Sequence, residues 1–186
     1  MPAGFEQKRV FENSLEYIPE GVKKIRVRSD SAGYEWEFLK YCAEGHNKRF
    51  GVIDFAVAAD VTPAFKTAVA ETEEKDWHTL QNPKTGEPTN QQWAEVCFVP
   101  NELAKTKKSS HYRYIAIRKK ISTQLPLPGC EDTQFKLPFP SIQMGDGDEL
   151  QQYKLTAIVT NLDWAGELVI HWLRKRCGKS EEVHSV

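Results

Sequence analysis

The stretch FGVIDFAVAA, residues 50–59, is the feature that most limits what this chain can become. It is apolar almost throughout, has the length of a strand, and lacks the alternation of a half-exposed strand, so it must be covered on both faces. Strands of that kind belong in parallel sheets with helices above and below. Asp54 interrupts the run and reads as the partner of a basic group. Upstream, VKKIRVRSD, residues 22–30, alternates through Ile25 and Val27 as a strand does. Between the two strands, residues 34–43 place Phe38, Leu39 and Cys42 on one helical face. Residues 5–18 do the same with Phe11, Leu15 and Ile18 before Pro19 and Gly21 supply a stop. Thr62 and Pro63 then read as an N-cap and first-turn proline opening a short helix through Val69. The order helix, strand, helix, strand, helix is that of an α/β unit with right-handed crossovers.

The character changes after Ala70. Residues 71–153 hold seven of the ten prolines and two strand-like stretches, WAEVCFVP (93–100) and HYRYIAIR (111–118), which together predict a β-rich insertion with long connections. Residues 125–147 read as irregular. KLTAIVTN, residues 154–161, returns to strand pattern, and a single helix is expected from Ala165 onward. The predicted organisation is therefore a core over 1–70, an insertion over 71–153, and a return strand with a closing helix over 154–186.

A chain of 186 residues suffices for one domain carrying an insertion, and 40% hydrophobic with 27% charged residues excludes a disordered or fibrous reading. No apolar run approaches bilayer length. The 25 basic and 26 acidic side chains leave a formal charge of -1, so any nucleic-acid function has to rest on local patches. Cys42, Cys97, Cys130 and Cys177 are scattered, without a Cys-x-x-Cys pair, and the N-terminus has no apolar signal region. Both features predict a cytoplasmic protein with reduced thiols.

Three constellations could carry chemistry. Asp30 stands at the carboxyl end of a predicted strand, the edge at which open α/β sheets place ligands and metals. The plainer alternative is that Asp30 or Ser31 caps the next helix, and the two roles are compatible because a carboxylate has two oxygens. On the terminal helix, Glu167, His171, Arg174, Gly178 and Glu181 recur every three or four residues and form a polar stripe, with Leu168, Val169, Trp172 and Leu173 as the apolar face. Such a stripe can equally be a solvated face laced by ion pairs. Residues 105–120 hold seven Lys or Arg and no acid. Lys105, Lys107, Lys108 and Arg113 among them could neutralise phosphates, or could blunt an exposed strand edge against aggregation. The histidines show no zinc-ligand spacing, and no phosphate-binding loop or nucleophile elbow is present.

Taken together, IRVRSDSAGYEWEFLKYCAEG, RFGVIDFAVAADVTPAF, WAEVCFVPN and TNLDWAGELVIHWLRKRCGKSEEVH resemble the DDE transposases of bacterial insertion sequences, in the branch with a β-rich insertion inside a ribonuclease H-like catalytic domain. The resemblance implies an α/β fold with a partial ribonuclease H-like core. It further implies DNA cutting and joining at transposon ends by two-metal phosphoryl transfer with Mg²⁺, in a homodimeric complex with DNA. Asp30 matches the second catalytic, metal-binding aspartate. Glu181 matches the glutamate of the closing helix, with Glu182 as the alternative, and Arg174 or Arg176 matches the basic residue that contacts DNA. The spacing from Arg176 to Glu181 departs from the family pattern, which leaves that register open. No aspartate precedes Asp30 to match the family's first, so the resemblance implies an internal fragment, inactive alone and marginally soluble. The alternatives are a non-catalytic DNA-binding module using the stripe at 105–120, or a relic reading frame.

Overall fold

The computed structural model describes residues 6–100, 112–121, 139–145 and 150–175. Within them lie helices α1 (Gln7–Glu16), α2 (Trp36–Ala43), α3 (Pro63–Ala70) and α4 (Gly166–Arg174). The strands are β1 (Arg26–Ser29), β2 (Asp54–Ala59), β3 (His78–Gln81), β4 (Pro88–Val96), β5 (Arg113–Lys120), β6 (Ser141–Met144) and β7 (Gln151–Thr160). The fold is α/β, built on one mixed sheet in the order β1-β2-β7-β5-β4-β3, with β6 paired to β7.

The first crossover is as the sequence predicts. β1 and β2 are parallel, in register from Arg26 with Asp54 to Ser29 with Val57, and α2 connects them. β2 is not inside a parallel sheet, however: its other neighbour, β7, runs antiparallel to it. The apolar run signals cover on both faces, and a central strand of a mixed sheet has that cover equally. β7 pairs with β5 along eight positions, Tyr153 to Thr160. Its other edge is shared by β2, opposite Ala157–Thr160, and β6, opposite Gln151–Lys154. The strands of the 71–153 segment thus extend the same sheet through β7.

Two of those strands lack a signal of their own. β3 (HTLQ) is mostly polar, and β6 (SIQM) lies in the segment read as irregular, between Pro140 and Gly145. Each is four residues long and is defined by its antiparallel partner. Local capping explains the helices better. Thr62 Oγ1 accepts the Phe65 N–H at 3.2 Å with Pro63 at the first turn of α3, and Glu35 accepts the Phe38 N–H at 3.1 Å to start α2.

Apolar side chains cover both faces of the sheet. On one, Leu15, Phe38, Leu39, Cys42, Phe65 and Val69 of α1–α3 pack over Phe55, Val57, Tyr114, Ala116 and Val159. On the other, Val169, Ile170 and Leu173 of α4 pack over Ala56, Ile115, Ile117 and Ile158. This corrects the expected apolar face of α4 by one position: Ile170 is buried, while Leu168 is 58% exposed. Gly166 lets α4 start against the sheet, since a Cβ there would stand 2.3 Å from the Trp93 ring. Cys42 is fully buried, and desolvation pushes its thiol up to about 12. Among the described residues, no helix is long and apolar enough to cross a membrane.

Candidate functional site

Asp30 ends β1 and begins a tight turn. Its Oδ1 accepts the Ala32 N–H at 3.2 Å, and its carbonyl accepts the Gly33 N–H at 2.9 Å, setting the 3₁₀ turn Ser31–Gly33. The capping role is therefore real. A carboxylate offers about four lone-pair sites, so capping is compatible with cation binding. The side chain faces solvent. Gly33 is buried beneath the turn, where a Cβ would stand 2.4 Å from Ser29 Oγ and 2.5 Å from Ser29 Cβ. Only a residue without a side chain lets the turn fold back on β1 this closely.

Behind Asp30, the α4 face of β1 carries Arg26 and Arg28. The Arg26 guanidinium lies 5.0 Å from the Trp164 ring centre and bonds Asp54 at 3.2 Å, and Lys24 reaches the same carboxylate at 2.8 Å. Asp54 is thus the partner of basic groups that the broken apolar run suggests. Arg28 donates to the Trp172 carbonyl at 2.7 Å and lies 5.5 Å from the Trp172 ring centre. Trp164 and Trp172 meet edge to face at 5.7 Å. Arg26 takes Trp164 and Arg28 takes Trp172, so the chain through α4 advances along β1 in the strand's own direction, toward the end that bears Asp30.

The polar stripe of α4 is spent on the far edge of the sheet. Glu167 Oε1 accepts the Gln81 N–H at 2.8 Å and lies 3.6 Å from His171 Nε2, while Arg174 donates to Gln91 Oε1 at 2.6 Å. Partial desolvation lowers the pKa of the Arg174 guanidinium, which remains a cation at neutral pH. Gly178, Arg176, Glu181 and Glu182 lie outside the described residues.

The basic segment divides the same way. Lys105, Lys107 and Lys108 lie outside the described residues. Arg113 pairs with Glu95 and donates to the carbonyls of Leu162 and Trp164, the latter at 2.8 Å, so it braces the entry to α4. Arg118 is 2% exposed. It bonds Gln92 Oε1 at 2.9 Å, pairs with Glu74, and is held between the rings of Trp77 at 4.1 Å and Tyr153 at 4.9 Å. Nothing in the sequence distinguishes it from Lys119 and Lys120, which are exposed.

Two-metal phosphoryl transfer requires several oxygen ligands at one point. Among the described residues, no group of three or more His, Cys, Asp or Glu converges in a way that could hold a metal ion. Asp30 is a suitable hard donor, but the described residues do not by themselves make the site. Comparison of the chain with protein-family models, with curated proteins and with solved structures returned no match.

Proposed function

We propose that this chain is part of the catalytic domain of a DDE transposase, with Asp30 and Glu181 as two of the carboxylates around which Mg²⁺-dependent DNA cutting and joining is organised. The ribonuclease H-like core is part of the same reading. The observation that carries it is the shared course of β1 and α4: the strand ends at Asp30, and α4 runs toward that end, held by Arg26 on Trp164 and Arg28 on Trp172. Glu181 is the carboxylate that the family pattern favours on the closing stretch, with Glu182 as the alternative.

One further feature supports the reading: β1 has one neighbour among the described strands, as expected if other strands of the core belong beside it. The metals, when bound, would activate the attacking oxygen and stabilise the leaving one. In the intact assembly the partners are transposon-end DNA and a second copy. Arg174 or Arg176 would contact phosphate.

Mn²⁺ serves as a paramagnetic probe of the proposed pair. It is expected to broaden the amide resonances of Ser29 to Ala32 selectively, with the effect lost in Asp30→Asn and Glu181→Gln and retained in Glu182→Gln. Broadening that survives Asp30→Asn, or that is spread evenly over other exposed acids, sinks the proposal.

A further inference from the structure

We propose that the sheet face packed by α4 serves, beyond the end of that helix, as a track for the phosphodiester backbone of duplex DNA, centred on Lys119 and Lys154. The inference takes DNA as the partner from the transposase reading, on which it rests for that alone, and adds the surface. Alternation fixes the face. On β5, Ile115 and Ile117 lie beneath α4 and Lys119 continues their row, while on β7 Ile158 lies beneath it and Thr156 and Lys154 continue. Gln91, Lys119, Lys154 and Ser141 are direct partners in register across β4, β5, β7 and β6. Arg174, in the last turn of α4, joins this row through Gln91 Oε1 at 2.6 Å. Lys119, Lys154, Arg174 and the following Lys175 are exposed.

Two lysines directly opposite each other repel and weaken a sheet. Lysines often guard a sheet's rim, but β5 lies between β4 and β7, and β7 lies between β5 and the strands β2 and β6 that share its other side. Rim protection therefore does not account for the pair, whereas an anion between them turns the repulsion into attraction. Among the described residues no carboxylate pairs with Lys119, Lys154 or Arg174. The acids of this face stand at its borders. Asp30 and Asp60 follow β1 and β2 on one side, where Ala59, the last residue of β2, pairs with Ala157, three positions short of Lys154. On the β3 side, Glu87 accepts from the Thr85 hydroxyl and Glu167 from the Gln81 N–H, and Glu95, farther along β4, is paired with Arg113. A line of cations between acidic borders suits a polymer of regularly spaced negative charge, and Gln91, Ser141 and Thr156 add the neutral donors that phosphate oxygens take. Single strands would need open rings for stacking their bases, and the ring beside this row, Phe139, has the Lys154 ammonium over it at 4.8 Å.

The test follows binding of a short labelled duplex of arbitrary sequence to the full chain by fluorescence anisotropy, without metal, over a range of salt concentrations. Lys119→Gln and Lys154→Gln are each expected to weaken binding several-fold and to lower the slope of log affinity against log salt by about 0.9. Lys120→Gln is the control: it removes the same charge from the next residue of β5, which is exposed on the opposite face beside Arg118, and should leave the slope as it is. Without DNA, Lys119→Gln should melt no lower than the parent, because it relieves a like-charge pair. The proposal is overturned if the duplex does not bind, if either of the two lysine variants keeps the parent's slope, if Lys120→Gln lowers it equally, or if Lys119→Gln melts lower, which would make that lysine structural. It is equally overturned if a polyglutamate peptide competes through the same two lysines as strongly as the duplex, or if a single strand binds more tightly. These outcomes do not involve Mn²⁺, Asp30 or Glu181, so the track and the proposed metal pair can fail separately.

Discussion

β1 and β5 each carry two arginines, and in sequence they look alike. In the fold they differ completely. β5 lies between β4 and β7, so its arginines must be reconciled with the interior: Arg118 is sandwiched by Trp77 and Tyr153, and Arg113 is tied to Glu95 and two carbonyls. β1 lies at the edge, and Arg26 keeps 42% of its side chain in solvent while resting on Trp164. Arg26, at the edge of the described sheet, therefore stays a surface charge, whereas on β5 Arg118 is buried and the lysines at the strand's end, Lys119 and Lys120, are the exposed ones.

Truncating each arginine in turn puts the most pressure on that contrast. Arg118→Ala should cost about 3 kcal/mol in urea unfolding, chiefly from the space left between two rings and an unpaired Gln92. Its ion pair contributes little to this, since Glu74 is 74% exposed. Arg118→Met, which keeps most of the bulk, should recover about half. Arg26→Ala should cost less than about 1 kcal/mol, as exposed pairs do. Equal losses at the two sites would break the comparison.

Thiols repeat the contrast between interior and rim. Cys97 is exposed and should react at once with an alkylating reagent, whereas buried Cys42 should react only on unfolding. The Cys42 thiol is held near 12 in the fold, against 9.0 when unperturbed. Its proton is therefore retained by the folded state and lost by the unfolded one between those values. The sign follows: the contribution is intact below about pH 9 and falls by about 1.4 kcal/mol per pH unit above it. Cys42→Ala, compared with the parent across pH 8 to about 11, should lack that part of the alkaline slope.

The smallest structural change tests the turn at the candidate site. Gly33→Ala forces a methyl into Ser29 and should cost about 1–3 kcal/mol. It should also disturb the resonances of Ser29 to Ala32 more than those of β5, because the clash falls at the end of β1. A substitution felt equally in β5 would show that the edge is not a separate unit.

How much of this could be read from the chain depends on whether the cause was local. Thr62 and Pro63 announce α3 because capping is a matter of a few neighbouring atoms, and Asp30 announces its turn for the same reason. The apolar run 50–59 marks β2 as covered, but the direction of its second neighbour is a long-range property of residues 157–160. β3 and β6 are invisible because polar four-residue strands owe their existence to partners. The fate of Arg113 and Arg118 is hidden for a related cause: the strand order decides it, and a list of residues does not contain the strand order. Glu167, His171 and Arg174 were legible as a stripe, whereas their engagement with Gln81 and Gln91 across the sheet was not.

The position of β7 has a consequence for synthesis. Among the described strands, the β1–β2 pair and the β3–β4–β5 meander are joined only through β7, which is made after both. A ribosome adding about 5–20 residues per second would display two unfinished half-sheets, each with a bare flank, until residue 160 clears the exit tunnel. The hazardous interval closes only when β7 is made, and a chaperone that shields nascent β edges would matter most before then.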